Sequence, residues 1–279
     1  MCSWVCATGS LLAVSPPAEH WRTSRQWHDT VPRTSFTRVD CAANFSLVSL
    51  WPRALLFDFD GVIVDSEPLH FMAFAEVLRG EHIDLSEKEY YEELIGFDDK
   101  GAFKHVFEKH GKQLDPKTFL RVMTYKKESM MRQIFDRKYK ALPGVEEFVR
   151  GVWRHYPLAI CSGALREEIE TMLEGVSLRD CFSVIVSAED VTKGKPDPEG
   201  YLLSADLISD KIKKRLEPGD CLVIEDAPLV AKSVRTVGFP VLGVASTHTL
   251  DKFDDANWRV PSLHPDEVQK VMPGLRMTR

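Results

Sequence analysis

Four short stretches of this 279-residue sequence carry groups whose types and spacing could do chemistry together. The first is Asp58-Phe59-Asp60-Gly61. On an extended chain residues two apart point to the same side, so Asp58 and Asp60 form a pair of carboxylates. With no basic partner nearby in the sequence, such a pair repels itself unless a cation neutralises it. Hard oxygen ligands with positions left open suit Mg²⁺, which takes one or two carboxylates, waters and a substrate phosphate. Asp226, preceded by Glu225, is the natural third carboxylate. Gly61 allows a sharp turn away from the pair. Taken alone, Asp-x-Asp-Gly is equally a turn after a strand. A calcium loop is excluded because Val62-Ile63-Val64 offers none of the further side-chain oxygens it needs.

The other stretches add groups for an anion. Ser162-Gly163 follows an apolar run and precedes a helical pattern, so the Ser162 hydroxyl and the amides at the helix start can bind an anion; a plain helix cap is the competing role. In Lys193-Gly194-Lys195-Pro196, Lys195 lies in a loop held by the following proline, free to reach inward as a point charge. A lone lysine is more commonly a solvated surface group.

These groups need elements that bring them to one place. Ala54-Leu55-Leu56-Phe57, Leu158-Ala159-Ile160-Cys161, Phe182 to Val186, Cys221-Leu222-Val223-Ile224 and Val241-Leu242-Gly243-Val244 are short apolar runs that read as buried parallel strands. Trp258-Arg259-Val260 is a weaker edge strand. Helices are expected from Leu165 to about Glu174, Pro198 to about Leu207, Pro228 to Val237, and from Pro265 onward. Strands alternating with helices imply an α/β fold, a Rossmann-like doubly wound parallel sheet. In such sheets ligands bind beyond the carboxyl ends of the strands, which is where all four stretches fall. Separate structural reasons for all four would be a large coincidence.

Between the first strand and Leu142-Pro143-Gly144 the alternation stops. Residues 67–141 show helical periodicity instead, with Phe71, Phe74, Ala75 and Leu78 on one stripe and Phe103, Val106 and Phe107 on another. Asp115-Pro116 opens a helix inside this block. The block reads as an inserted all-α cap domain, leaving 51–66 and 142–279 as the α/β core.

Composition narrows the function classes. The apolar share of 44% and charged share of 28% are those of an ordinary soluble globular protein. A net charge of -6 disfavours nucleic acid as partner, and no apolar run is long enough to span a bilayer. Cysteines 2, 6, 41, 161, 181 and 221 form no CxxC, so no zinc or redox motif is expected. Cys161 and Cys221 lie in apolar runs and read as core residues of a cytoplasmic protein. Residues 1–50 contain no lysine and no sustained periodicity. An organelle-targeting peptide fits Arg22, Arg25, Arg33 and Arg38 weakly, and Glu19, Asp29 and Asp40 count against it. A disordered extension without catalytic role is the preferred reading.

In this order, the four stations resemble the signature motifs of the haloacid dehalogenase-like hydrolase superfamily. The resemblance covers roughly residues 54–250, and its joint match is far more specific than any single motif. Asp58 through Ser66 is similar to the first motif, Ser162 to the second, Lys195 to the third and Glu225-Asp226 to the fourth. The helical insert resembles the cap of the subgroup containing β-phosphoglucomutase and phosphoglycolate phosphatase, with Asp65-Ser66-Glu67-Pro68-Leu69-His70 at its start. The resemblance implies that Asp58 forms an aspartyl-phosphate and that Asp60 protonates the leaving oxygen, then activates water. It implies Mg²⁺ on the Asp58 carboxylate, the Asp60 main-chain carbonyl and the Asp226 carboxylate, with Glu225 beside it. Ser162 and Lys195 would bind the transferring phosphoryl oxygens. Displacing an alkoxide needs a proton donor and displacing halide does not, so Asp60 favours phosphate esters over haloacids.

The substrate expected under a helical cap is a small phosphorylated metabolite, with Gly61, Glu67, His70, Lys100, Gly163 and Arg166 as candidate readers; a monomer or weak dimer is expected. Sugar phosphomutases of the family favour small and basic residues where this chain has Gly96-Phe97-Asp98-Asp99-Lys100, and a lysine-containing segment where it has Ala164-Leu165-Arg166. His70 matches a mutase hinge histidine. Phosphatase is therefore preferred over mutase. A catalytically spent binding module would have lost the nucleophile, the acid or the metal aspartate, and all are present. Deleting residues 1–50 is expected to leave phosphate release unchanged in a steady-state assay; a loss of activity contradicts the reading of that segment.

Overall fold

The computed structural model describes residues 51–94, 97 and 99–278; the expectation for residues 1–50 lies outside the described residues. Six parallel strands, β1 (Ala54–Phe57), β2 (Leu158–Cys161), β3 (Val184–Val186), β4 (Cys221–Glu225), β5 (Val241–Val244) and β6 (Trp258–Val260), form one sheet in the order β3-β2-β1-β4-β5-β6. The helices in chain order are α1 (Glu67–Gly80), α2 (Glu87–Glu89, continued by a π turn Tyr90–Leu94), α3 (Asp99–Lys109), α4 (Pro116–Phe135), α5 (Val145–Val152), α6 (Arg166–Gly175), α7 (Glu199–Ile212), α8 (Pro228–Thr236) and α9 (Pro265–Val271).

Both faces of the sheet are covered, which is why its strands read as unbroken apolar runs. Leu55 and Phe57 of β1, with Leu158, Ile160, Leu222 and Ile224, pack on one side against residues of α5, α6 and α9. Ala54 and Leu56, with Ala159, Cys161, Cys221 and Val223, pack on the other against α7 and α8. Cys161 and Cys221 are buried, as their apolar surroundings in the sequence predict.

Three elements differ from the sequence reading. β3 starts at Val184, because Arg179–Cys181 form a 3₁₀ turn and Phe182 instead sets its ring edge-on to Phe57 at 5.5 Å. α7 runs to Ile212, past the expected end near Leu207, and stops where Lys213 adopts a left-handed conformation. α5 was not expected. Gly144, at φ +79, caps it, and Val145, Phe148, Val149 and Val152 then face the sheet at helical spacing.

α1 to α4 interrupt the strand-helix alternation and have a core of their own. Phe74, Leu78, Tyr90, Leu94, Phe103, Val106, Phe107 and Val122 form a cluster separate from the two that flank the sheet. α4 begins at Asp115, whose carboxylate accepts the Lys117 and Thr118 amides. The two chain crossings into and out of this helical insert run side by side: Asp65 N–H donates to Lys140 O at 3.0 Å and Leu142 N–H to Ile63 O at 3.0 Å. The insert also touches the core where α4 meets α6, with Lys127 Nζ 3.6 Å from Glu167 Oε2. Beside this pair Glu168 is 4% exposed, its Oε2 accepting the Leu165 amide at 3.2 Å. Burial pushes its carboxyl up to about 7, against the pull of Lys126.

Phe103→Ala is expected to destabilise the fold by about 3–5 kcal/mol in urea denaturation, the usual cost of a fully buried phenyl ring. Glu168 generates a pH signature. Its folded-state carboxyl is raised, so between the ordinary carboxylate range and about pH 7 the native chain holds a proton that the unfolded chain lacks. Stability from this group is complete at low pH and is lost as pH rises through 7. Glu168→Gln should therefore raise the melting temperature over wild type at pH 8, with the gain vanishing near pH 5. A difference that does not vary with pH contradicts this.

Candidate active site

β1 and β4 are neighbours at the point where the strand order reverses, and their carboxyl ends meet there. Phe57 pairs with Ile224, and the Asp58 amide extends the ladder by donating to Ile224 O at 2.9 Å. The register alone places Asp58 beside Glu225 and Asp226. Carboxylate oxygens of these three residues lie within 4.8 Å of one another, and all three are buried.

One lysine answers them. Lys195 Nζ is 2.6 Å from Asp58 Oδ1 and 2.6 Å from Glu225 Oε1. The Asp58 pair thus has the basic partner that its sequence neighbourhood lacks, delivered by the loop after β3. Lys193 stands outside, exposed, its Nζ 3.8 Å from Asp197. Glu225 is fully buried and its other oxygen accepts the Ala227 amide at 2.9 Å. Burial pushes the Asp58 carboxyl up to about 7 while Lys195 pulls it down. Burial, then the negative fields of Asp58 and Glu225, hold the Asp226 carboxyl well above the ordinary range. The Lys195 ammonium is stabilised above its usual range by the same carboxylates despite burial.

Asp60 faces different partners. Its carboxylate accepts hydrogen bonds from Ser66 Oγ and, at 3.1 Å, from Ser162 Oγ. Ser162 in turn accepts the Ala164 amide at 3.0 Å; the residue that caps α6 is Leu165. The serine is therefore aimed at Asp60 rather than engaged as the helix cap. The Asp60 carboxylate stands outside the three-carboxylate cluster. Two acids only two positions apart in sequence are thus separated in environment, one against a lysine and one against two hydroxyls.

The cluster fits a divalent cation. Three buried carboxylates share one ammonium, which leaves negative charge in excess. Gly61 sits at φ +74, and a Cβ there would lie 2.1 Å from Asp226 Oδ2 and 2.9 Å from Thr247 Oγ1, so only glycine leaves the space open. Thr247 Oγ1 is itself buried and has no hydrogen-bond partner among the described residues. The donor set is all oxygen, which suits Mg²⁺.

A cavity of about 200 Å³ opens over this edge, lined by Asp60, Gly61, Ser66, Glu67, Tyr91 and Asp226 among others. Glu67 accepts a hydrogen bond from Tyr90 Oη at 2.5 Å, and burial raises its carboxyl. His70 Nδ1 is 2.9 Å from Lys126 Nζ, and burial with that neighbouring charge drives its imidazole down to about 3, so it is neutral. Gly163 has open space around its Cα. Arg166 is held away from the cavity lining: its guanidinium donates to Asp190 Oδ2 at 2.5 Å and Ile185 O at 3.0 Å. Lys100 is exposed near the start of α3.

Sequence reasoning passed over several residues here. Lys126 is 2% exposed, paired with Asp99 at 2.9 Å and set 5.4 Å over the Phe74 ring. Its signal is position: with Val122, Met130 and Ile134 it recurs at helical spacing on the buried face of α4. Tyr201 follows the Lys195 loop on α7 and binds both Lys195 and Glu225. Ser246 and Thr247 after β5 form a fifth station, Ser246 Oγ donating to Gly61 O. Their run carries no residue type that marks a site.

The sequence model described as haloacid dehalogenase-like hydrolase matches residues 55–244. Protein CbbY of Rhodobacter capsulatus is 26% identical over 226 residues, covering 78% of this chain and 97% of that protein. Fructose-1-phosphate phosphatase YqaB of Escherichia coli is 29% identical over 193 residues, covering 68% and 95%. Among solved structures, β-phosphoglucomutase from Clostridium difficile has a TM-score of 0.66 at 22% identity, covering 80% of this chain and 96% of that one, a likeness of fold. The matched span takes in Asp58, Ser162, Lys195 and Glu225-Asp226, and the chain belongs to the haloacid dehalogenase-like hydrolase family.

Proposed function

We propose that this protein is a magnesium-dependent phosphatase of a small phosphorylated sugar, acting through an aspartyl-phosphate on Asp58. The observation that carries the reading is the placement of Asp58 between Lys195 and the Glu225-Asp226 carboxylates, with Asp60 held apart by Ser66 and Ser162. The names of two relatives, fructose-1-phosphate phosphatase and the phosphorylated carbohydrates phosphatase of Thermotoga maritima, support the substrate class.

In this mechanism an Asp58 carboxylate oxygen attacks phosphorus and the bond from phosphorus to the ester oxygen breaks. Asp60 gives its proton to the leaving alkoxide. Asp60 then takes a proton from water as the water oxygen attacks the phosphorus of the aspartyl-phosphate. The bond to Asp58 breaks and inorganic phosphate leaves. Lys195 and the Ser162 hydroxyl hold equatorial phosphoryl oxygens, where charge spreads in the transition state. Asp58, Asp226 and the Asp60 carbonyl, with Glu225 alongside, would hold Mg²⁺, which would supply further neutralisation of that charge.

We read α1 to α4 as a cap over the sheet edge. Glu67 and Tyr91 from this insert line the same cavity as Asp60 and Asp226, and about 200 Å³ suits a small metabolite rather than a phosphoprotein loop. Glu67 is the natural reader of a sugar hydroxyl. Phosphatase is preferred over mutase on one contact. A mutase needs cationic groups in the cap to hold a second phosphate, and Lys126, the buried cation of the insert among the described residues, is already neutralised by Asp99 at 2.9 Å.

The test is a panel of sugar phosphates with Mg²⁺, reading both free phosphate and isomerised sugar phosphate. Phosphate release from at least one sugar phosphate is expected, abolished by chelation and reduced at least about a thousandfold in Asp58→Asn, the scale of removing a nucleophile. Isomerisation of β-glucose 1-phosphate without phosphate release would overturn the phosphatase reading, and full activity in Asp58→Asn would overturn the nucleophile.

A further inference from the structure

A lysine ammonium has three N–H donors and no acceptor. Around Lys195 all three are spent. Two go to the carboxylates, Asp58 Oδ1 at 2.6 Å and Glu225 Oε1 at 2.6 Å. The third goes to the phenol oxygen of Tyr201 at 3.1 Å. A phosphoryl group that binds through Lys195 therefore has to take a donor from one of these three partners.

The three partners are not equal. Asp58 and Glu225 are carboxylates, whose hydrogen bonds to an ammonium are charge-assisted and short. Tyr201 is neutral, and its contact is the longest of the three. Its own proton is directed to Glu225 Oε1 at 3.0 Å, so the phenol keeps a partner whether or not Lys195 uses it. Tyr201 is fully buried on the first turns of α7, beside Phe239, with no water-facing surface from which an alternative partner could come. Burial and the nearby carboxylates hold its phenol protonated far above the ordinary range, so it remains a neutral acceptor throughout. A phosphoryl oxygen carries charge and outcompetes a phenol for the same N–H.

We propose that Tyr201 is a positioning residue that occupies the third donor of Lys195 until a phosphoryl oxygen takes it. Exchange of one acceptor for another leaves both ion pairs of Lys195 intact. When phosphate departs, the phenol retakes the donor, so Lys195 is not left with an unpaired buried N–H. The cost of displacing the phenol weakens the hold on product and speeds its release. This inference rests on the assignment of Lys195 to phosphoryl binding made above.

The test measures inhibition by inorganic phosphate, with Mg²⁺ present, in the full-length wild type and in Tyr201→Phe. The substitution removes the acceptor and keeps the ring. Lys195 is then left with an unspent donor that only the anion satisfies, so the inhibition constant for phosphate should fall about three- to tenfold, with kcat limited by slower product release. If Tyr201 only braces Glu225, phosphate inhibition is unchanged or weaker and thermal stability alone falls; that result overturns the proposal. Should Tyr201→Phe not fold, 3-fluorotyrosine at position 201, a weaker acceptor of the same shape, is expected to tighten phosphate inhibition by a smaller factor, and no change there overturns the proposal too. A wild type that neither hydrolyses sugar phosphates nor binds phosphate would remove the functional reading itself, a result distinct from a wild type that binds phosphate while the variant binds it no better.

Discussion

The sheet edge depends on the bond between Lys195 and two buried carboxylates. Asp58, Glu225 and Asp226 are crowded and buried at the ends of two neighbouring strands, where charge is costly unless it is paired. A single ammonium between Asp58 and Glu225 pairs with both and leaves the three carboxylates short of positive charge. That deficit is the property a divalent cation can exploit, and the cation would in turn offset the charge of a phosphoryl group. The pair serves poising rather than stability, since buried ion pairs are weak stabilisers against apolar packing of the same volume.

Everything around the pair acts to hold it there. Parallel pairing of Phe57 with Ile224 sets the two strand ends level, so no side chain has to stretch. The 3₁₀ turn before β3 and the loop after it carry Lys195 across the end of β2 to reach β1. Tyr201 and the Ala227 amide occupy the remaining valences of Glu225, which keeps that carboxylate turned toward the lysine. Gly61 lets the chain leave the edge without a Cβ intruding on Asp226.

The helical insert is organised by a second buried lysine. Lys126 reaches His70, Asp99 and the Phe74 ring inside an otherwise apolar cluster. Glu67 and Tyr91 give the insert a polar to acidic face on the cavity, whereas a phosphate-binding face would be basic. The insert and the sheet therefore present different characters to the cavity between them, and under the proposed function the first would read hydroxyls and the second take up phosphate. This division is the physical basis for preferring hydrolysis of a sugar phosphate.

Much of this was legible in the chain. Unbroken apolar runs ending in Asp58, Ser162 and Glu225-Asp226 are sufficient to name a parallel sheet and its functional edge, because burial on both faces removes the alternation that an exposed sheet would show. Lys195 is legible as a candidate from its loop and proline. What only the tertiary structure decided is who meets whom. Sequence spacing paired Asp58 with Asp60, but the fold gives Asp58 to Lys195 and Asp60 to Ser66 and Ser162. α5 and the true start of β3 depend on which faces the neighbouring layers bury, and Lys126, Tyr201 and Thr247 have residue types that mark nothing until burial removes water as their partner. A sequence records the chemistry a side chain can do; desolvation and proximity, which exist only in the folded chain, select which of it is done.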